Sequence, residues 1–415
     1  MYEINRQRLL DRFLRYVQVG TTADPKSKTY PSTECQRDLG KLLVEELTKM
    51  SASDVHQDEH GLVHATIPSS VGATGVPVVA LLAHMDTSPD APGHGVRPQV
   101  LESYPGGNIN LQSGEVITPE SCPDLLNLVG KTLVTTDGTT LLGGDDKAGV
   151  AIIAELAETL IENPHLPHGD IKLVFTCDEE IGHGTDKIDL QQLAADVAYT
   201  LDGGGEGVID VETFSADGAC VRFIGDSIHS AIAKDRMINA LRGAADFIAA
   251  LPRDSETPET TEGREGFIHA NTITGQVAEV TLDLILRSFN TEDLPGYADR
   301  LRAIAADVEK AWPGLKVVVD VYKQYRNLGD GLAKLPESVD FAVQAFENLG
   351  RTYKKEIIRG GTDGSVLTEK GLPTPNLSSG QHNIHSVREF ACLDEMAAAT
   401  EHLVELMKLW SQHRR

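Results

Sequence analysis

The sequence predicts an α/β domain interrupted by a second, inserted domain, and three observations carry that reading. Val78 to Ala83, Ile171 to Thr176 and Val197 to Leu201 are short runs rich in Val, Ile and Leu, the pattern of strands buried on both faces. A long helical stretch, Lys147 to Asn163, separates the first two strands, as an α/β layer requires. After the glycine-rich turn Gly203-Gly204-Gly205-Glu206-Gly207 the rhythm changes to β-α-β-β-α-β.

Taken in order, the chain opens with an amphipathic helix over Ile4 to Val19, its stripe formed by Leu9, Leu10, Phe13, Leu14 and Val17. A second helix is expected to be capped near Ser32 or Thr33. The α/β strands and the long helix follow. The inserted region then reads as strand Ala219 to Ile224, helix Met237 to Leu251 and strands Ile268 to Gly275 and Val277 to Arg287. In the last of these Val280, Leu282, Leu284 and Leu286 alternate with Thr281 and Asp283. Helix Leu294 to Trp312 and strand Leu315 to Tyr322 complete a ferredoxin-like order. This places a compact domain at 214–326 within one built from 1–213 and 327–415. Beyond Tyr325 strands, glycine turns and helices resume, ending in an amphipathic helix from Asp394.

A chain of 415 residues has room for two or three domains, at roughly 150 residues each. Acids (62) exceed Lys and Arg (37) by 25, which repels nucleic-acid phosphates and anionic membranes, and no basic patch offsets it. The longest apolar run, Val76 to Ala83, is far short of the about 20 residues that span a bilayer. The N-terminus carries Arg6 and Arg8 without an apolar segment typical of a secretory signal. Cys35, Cys122, Cys177, Cys220 and Cys392 are too scattered to staple the chain, so a reducing cytoplasm is the expected location.

Chemistry concentrates where buried strands end. Val78 to Ala83 runs into His84-Met85-Asp86, and because extended chain alternates faces, His84 and Asp86 point the same way. Ile171 to Thr176 runs into Cys177-Asp178-Glu179-Glu180, and Val197 to Leu201 into Asp202. Sites in open α/β sheets form outside the carboxyl ends of strands. Asp145 and Asp146 stand at the start of the long helix, where each alone also reads as a first-turn cap. Gln381-His382-Asn383-Ile384-His385 follows a turn-rich segment. Asp86, Asp145, Glu179, Glu180 and Asp202 in one crevice repel one another, so divalent cations are called for. Imidazole and carboxylate without thiolate suit zinc, with cobalt or manganese as substitutes. No G-x-x-x-x-G-K-[ST] phosphate cradle and no G-x-S-x-G nucleophile elbow occurs.

Six segments, HMDTSPD at 84–90, LLGGDDKAG at 141–149, DEEIG at 178–182, YTLDGGGEG at 199–207, TPETTEGREGF at 257–267 and RGGTDG at 359–364, together resemble the peptidase T family of tripeptide aminopeptidases. That family is part of the wider dizinc exopeptidases and amidohydrolases. The resemblance implies a mixed sheet flanked by helices with an inserted ferredoxin-like lid that also dimerises. It implies that His84, Glu180, Asp202 and His385 are ligands to individual zincs, that Asp145, two before Lys147, bridges both, and that each chain holds two Zn2+. It further implies that Glu179 is general base toward a water held between the metals, and that Asp86 fixes the His84 imidazole. The resemblance implies that His229 stabilises the oxyanion from a neighbouring active site, although Ser230-Ala231 replaces the proline and glycine usual after it. Asn239, Arg287 and Arg359 resemble the family's substrate-end residues and are expected to grip the substrate carboxylate. The expected substrate is a tripeptide with a free amino terminus, Asp178 is the candidate partner of its ammonium group, and the expected state is a homodimer. His382 is expected to be a polar loop residue and Cys177 a packed thiol. A related dipeptidase, carboxypeptidase or N-acyl-amino-acid hydrolase is the enzymatic alternative, and a peptide-binding scaffold the non-catalytic one.

Overall fold

The computed structural model describes residues 2–72 and 74–414. It divides into two compact units: the chain up to Val211 with Asp330–Glu356 and everything from Thr362 onward, and a smaller unit of Glu212–Gly329 with Ile357–Gly361.

The larger unit begins with helices α1 (Arg6–Val17) and α2 (Gln36–Lys49) and strands β1 (Ser53–Gln57), β2 (Val63–Ile67), β3 (Val79–His84) and β4 (Gln99–Leu101). A small hairpin of β5 (Ile109–Asn110) and β6 (Val116–Ile117) precedes β7 (Leu133–Thr135), α3 (Gly144–Glu162), β8 (Ile171–Thr176), α4 (Leu190–Leu193), β9 (Val197–Gly204) and β10 (Val208–Thr213). The smaller unit contains β11 (Ser215–Ile224), α5 (Ala240–Ala250), β12 (Phe267–Gly275), β13 (Glu279–Ser288), α6 (Leu294–Ala311) and β14 (Lys316–Tyr325). The remaining elements are α7 (Gly329–Leu332), α8 (Glu337–Asn348), β15 (Lys354–Ile358), α9 (Asp363–Glu369), β16 (Asn376–His382), β17 (Phe390–Cys392) and α10 (Leu393–Gln412).

The principal sheet has 11 strands, in the order β1-β2-β8-β3-β9-β16-β17-β7-β4, with β10 beside β16 and β15 beside β10. Its middle strands β8, β3, β9 and β16 are parallel to one another, so their carboxyl ends emerge on one edge. Antiparallel strands flank them. The alternation of a strand buried on both faces is visible in β3. Val79, Leu81 and Ala83 join the core of α1, α3 and α10, while Ala80 and Leu82 join Val174, Ile188, Leu193 and Leu367 on the other face. Each fully buried leucine here contributes about 1.5–3 kcal/mol of transfer free energy. Helix α3 is buried almost all round, which explains why Val150 to Leu160 is apolar except at Glu155, Glu158 and Thr159, the two acids being ion-paired with Arg8 and Arg12 of α1.

In the smaller unit the antiparallel sheet runs β12-β13-β11-β14, and α5 and α6 pack on the face made by Val221, Phe223, Leu282 and Leu284. The strand order and the helix positions are ferredoxin-like.

Two local expectations need correction. Neither Ser32 nor Thr33 caps α2: the helix starts at Gln36, after Cys35, with no side-chain cap. The Ser32 amide and hydroxyl instead donate to the Asp178 carboxylate, and the Thr33 hydroxyl donates to the Thr22 carbonyl. His382 is not a loop residue; it ends β16, buried, between Asp124 and Glu395. Among the described residues no helix is long and apolar enough to cross a membrane.

Candidate active site

At the carboxyl edge of the parallel strands the larger unit gathers His84, Asp86, Asp145, Glu179, Glu180, Asp202 and His385. His84 closes β3, and its Nε2 lies 2.9 Å from Asp145 Oδ1 and 3.8 Å from Asp202 Oδ1. His385, in the turn after β16, places its Nε2 2.9 Å from Glu180 Oε2 and 3.3 Å from Asp145 Oδ2. The result is two sets of candidate ligands, His84-Asp145-Asp202 and Asp145-Glu180-His385, whose donor atoms lie within 4.8 Å of one another in each set. Asp145 is common to both and offers one oxygen to each side.

The two aspartates that the sequence leaves ambiguous are separated by what they touch. Asp146 spends its carboxylate on backbone, accepting from Gly149 N–H at 3.1 Å and His84 N–H at 3.2 Å, as a first-turn cap does. Asp145 keeps extended rather than helical torsions and turns its carboxylate to the two imidazoles. Asp86, fully buried, has its Oδ1 3.5 Å from His84 Nδ1. Its two oxygens also accept the backbone N–H groups of Glu179 and Glu180, each at 3.1 Å, so it holds that pair of acids by their main chain. The Glu179 carboxylate has no hydrogen-bond partner among the described residues.

The electrostatics of the cluster follow from burial. Desolvation, with neighbouring carboxylates adding to it, pushes Glu179 and Asp202 well above the usual carboxyl range and raises Glu180. Burial alone would raise Asp145 too, but hydrogen bonds from His385 and His84 outweigh it and hold the carboxyl below its ordinary value. Those same bonds, to Asp145 and Glu180, push His385 up to about 11. Both imidazoles are thus drawn toward the cationic form by an excess of acids, which is the arrangement a bound cation neutralises. Glu180 Oε1 is buried without a partner, an orphan acceptor that a metal ion would satisfy. The donors are oxygen and imidazole nitrogen. Cys177 points its buried thiol at the Gly61 carbonyl instead.

Comparison with known proteins adds the lineage. The model for Peptidase family M20/M25/M40 matches residues 137–409. Peptidase T of Geobacillus kaustophilus is 42% identical over 409 residues, 98% of this chain and 99% of that protein. The chain belongs to the peptidase T family. Among solved structures, aminopeptidase PepT from Bacillus cereus matches with a TM-score of 0.76 at 25% identity, covering 99% of this chain and 100% of its own. A tripeptidase from Staphylococcus aureus matches equally well, at 0.76 and 25%, covering 99% of each chain.

For this peptidase T family member the other sequence-derived candidates lie in the smaller unit. His229 is exposed at the start of a short 3₁₀ turn, and its Nδ1 accepts the Ala231 N–H at 3.2 Å, which leaves Nε2 to carry a proton. Asn239 caps α5 through Oδ1, accepting from Leu241 N–H. Arg287, half-buried, donates to the Asp217 and Leu286 carbonyls and lies over the Tyr325 ring. Arg359 donates to the Gly263 and Glu265 carbonyls and the Thr261 hydroxyl, stacked against Phe214 and Phe267. Neither arginine is ion-paired with a carboxylate within 4.0 Å among the described residues.

Asp178 is not free for a substrate ammonium group. It is 1% exposed, and its oxygens accept from Ser32 N–H and hydroxyl and from Gln36 Nε2 at 2.5–2.6 Å. Sequence reasoning also passed over two buried acids of the site. Asp363, inside the RGGTDG segment, accepts from Thr176 Oγ1 and is pushed up to about 7 by burial. Glu389, 1% exposed, accepts backbone N–H groups from Leu142, Gly143 and Asp145; burial pushes it to about 7 although those donors pull the other way. Glu389 does not carry the signal that singled out Asp202: it precedes the three-residue β17 instead of standing where a buried strand ends.

Proposed function

We propose that this peptidase T family member is a tripeptide aminopeptidase working with two divalent cations, zinc by preference and cobalt or manganese as substitutes. His84 and Asp202 would hold one ion, Glu180 and His385 the other, with Asp145 shared. When bound, such a pair supplies Lewis acidity that polarises a peptide carbonyl and makes a water acidic near neutral pH.

The chain's own residues do the rest. Glu179 is the general base: its carboxylate is uncommitted, stands outside both ligand sets, and its raised proton affinity suits a group that must take a proton from the attacking water and give it to the leaving amine. Asp86 keeps Glu179 and Glu180 in place through their amides and sets the His84 tautomer. His229, with its proton on Nε2, is suited to donate to the developing oxyanion. Arg287 and Arg359, whose guanidinium charges face carbonyls and rings, are suited with Asn239 to grip a terminal carboxylate. The smaller unit, which contains the inserted segment 214–326, is proposed as lid and dimer contact, its edge strands β12 and β14 carrying the exposed Ile273 and Tyr322. Five unpaired thiols fit a cytoplasmic enzyme.

One observation carries the reading: two ligand sets sharing Asp145, with an uncommitted glutamate beside one of them. The test is digestion of matched tripeptide, dipeptide and amino-blocked tripeptide, read by product mass, with and without chelator. Release of the N-terminal residue from the free tripeptide alone, abolished by chelator, is the expected result. Faster cleavage of the blocked peptide overturns it in favour of an amidohydrolase, and preference for the dipeptide in favour of a dipeptidase.

A further inference from the structure

The loop that presents Asp145 and the turn that presents His385 are far apart in sequence, yet one carboxylate fastens them together. Glu389 reaches across to the loop before α3. Its Oε2 accepts the N–H groups of Leu142 at 2.7 Å and Gly143 at 2.8 Å, and its Oε1 that of Asp145 at 2.9 Å. Three consecutive-strength contacts on one buried carboxylate leave the loop little freedom. Gly143 in that loop is left-handed at φ 79°, and a Cβ on Gly144 would sit 3.2 Å from Glu389 Oε1, so the backbone passes close under the carboxylate.

The other end of the link is equally constrained. His385 is four residues before Glu389 in a closed turn: Asn383 Nδ2 donates to the Arg388 carbonyl at 2.9 Å, Arg388 N–H to Ser386 Oγ at 3.1 Å, and Glu389 N–H to the Ser386 carbonyl at 3.0 Å. His385 itself adopts φ 58°, a left-handed conformation that the turn must hold. Moving Glu389 relative to residues 142–145 therefore moves the His385 imidazole relative to the Asp145 carboxylate.

From this we infer that Glu389 is a positioning residue that sets the separation of Asp145 and His385, and so the affinity of the Asp145-Glu180-His385 site for its cation, without touching metal or substrate. The inference rests on the two-cation reading above. Outer groups that orient metal ligands change affinity by about 10–100-fold when removed.

The experiment isolates each ion. In a Asp202→Asn background, which leaves the Asp145-Glu180-His385 set, Co2+ titration of metal-depleted protein followed by its visible absorption should show Glu389→Leu weakening binding by about 10–100-fold, with Glu389→Gln in between. In a His385→Ala background, which leaves the other set, the same substitutions should weaken binding several-fold less. In the otherwise native chain, excess metal should restore much of the lost kcat of Glu389→Gln with KM unchanged, a rescue that a folding defect would not give. Equal loss in both backgrounds, or no loss in either, overturns the inference. If the native chain itself takes up no Co2+, it is the two-cation reading that fails.

Discussion

His402 offers a stability measurement whose sign and size both follow from its surroundings. It lies on α10, 2% exposed, stacked on Phe346 with ring centroids 3.7 Å apart, and its Nε2–H donates to the Ala342 carbonyl of α8 at 2.8 Å. Burial lowers its pKa from 6.5 to about 4, the nearby Arg351 acting in the same direction and the hydrogen bond opposing. A group whose folded pKa is depressed in this way favours the neutral form in the fold. As pH falls through 6.5 the unfolded chain takes up the proton and the folded chain does not, so stability is lost until the folded form titrates near pH 4. A displacement from 6.5 to about 4, at about 1.4 kcal/mol per unit, is worth about 3 kcal/mol. The perturbation is His402→Gln, which keeps a donor for the Ala342 carbonyl but does not titrate. The assay is urea unfolding of metal-depleted protein between pH 7 and 4, followed by fluorescence of Trp410, which is buried on the same helix, in a Trp312→Phe background. The native chain should lose about 3 kcal/mol more than the variant over that interval. A parallel pH dependence in both proteins would refute the reasoning, because it would mean His402 takes up its proton as readily in the fold as in the unfolded chain.

His382 should behave oppositely. Burial lowers its pKa, but Asp124 and Glu395 outweigh it and raise it to about 9, so its contribution is complete below pH 6.5 and vanishes as pH rises through 9; His382→Asn should flatten the native chain's decline between those values in the same urea assay. Glu179→Gln should keep its metal, because Glu179 is in neither ligand set, while turnover falls by about 10²–10⁴-fold; metal analysis that finds the ions gone along with the activity would make Glu179 a ligand. Supplying zinc at 100 times its dissociation constant should stabilise the protein by about 2.7 kcal/mol per occupied site, seen as a rise in melting temperature that chelator reverses; an unmoved melting curve counts against a cation in this cluster. His229→Ala should lose activity, and mixing it with Glu179→Gln should restore part if the histidine serves a neighbouring subunit, whereas absence of rescue on exchange-competent mixtures would assign it to its own chain.

Much of the fold is legible because burial writes itself into periodicity. Val280 to Leu286 alternates since one face of β13 meets α5 and α6, and β3 is continuously apolar since helices or loops cover both faces. The short strands β4 to β7 left no such trace: at two or three residues each they are too brief for a period to register, and they are fixed by their partners instead. The same division runs through the site. His84, Asp202 and Glu180 could be found from sequence because each follows a buried strand, but the choice between Asp145 and Asp146 rests locally on which backbone amides and which imidazoles surround each carboxylate.

By itself, then, the amino-acid order determined the α/β layer, the inserted β-α-β-β-α-β unit and the pool of acids and histidines at strand ends, because alternation and run length depend on neighbours a few residues away. Only the tertiary structure decided how those groups are shared out. Asp178 is committed to Ser32 and Gln36, His382 is buried between two acids, and Glu389 grips the Asp145 loop across more than 240 positions of chain. Hydrogen bonds between residues that distant are set by how strands and helices pack, and no local pattern encodes them.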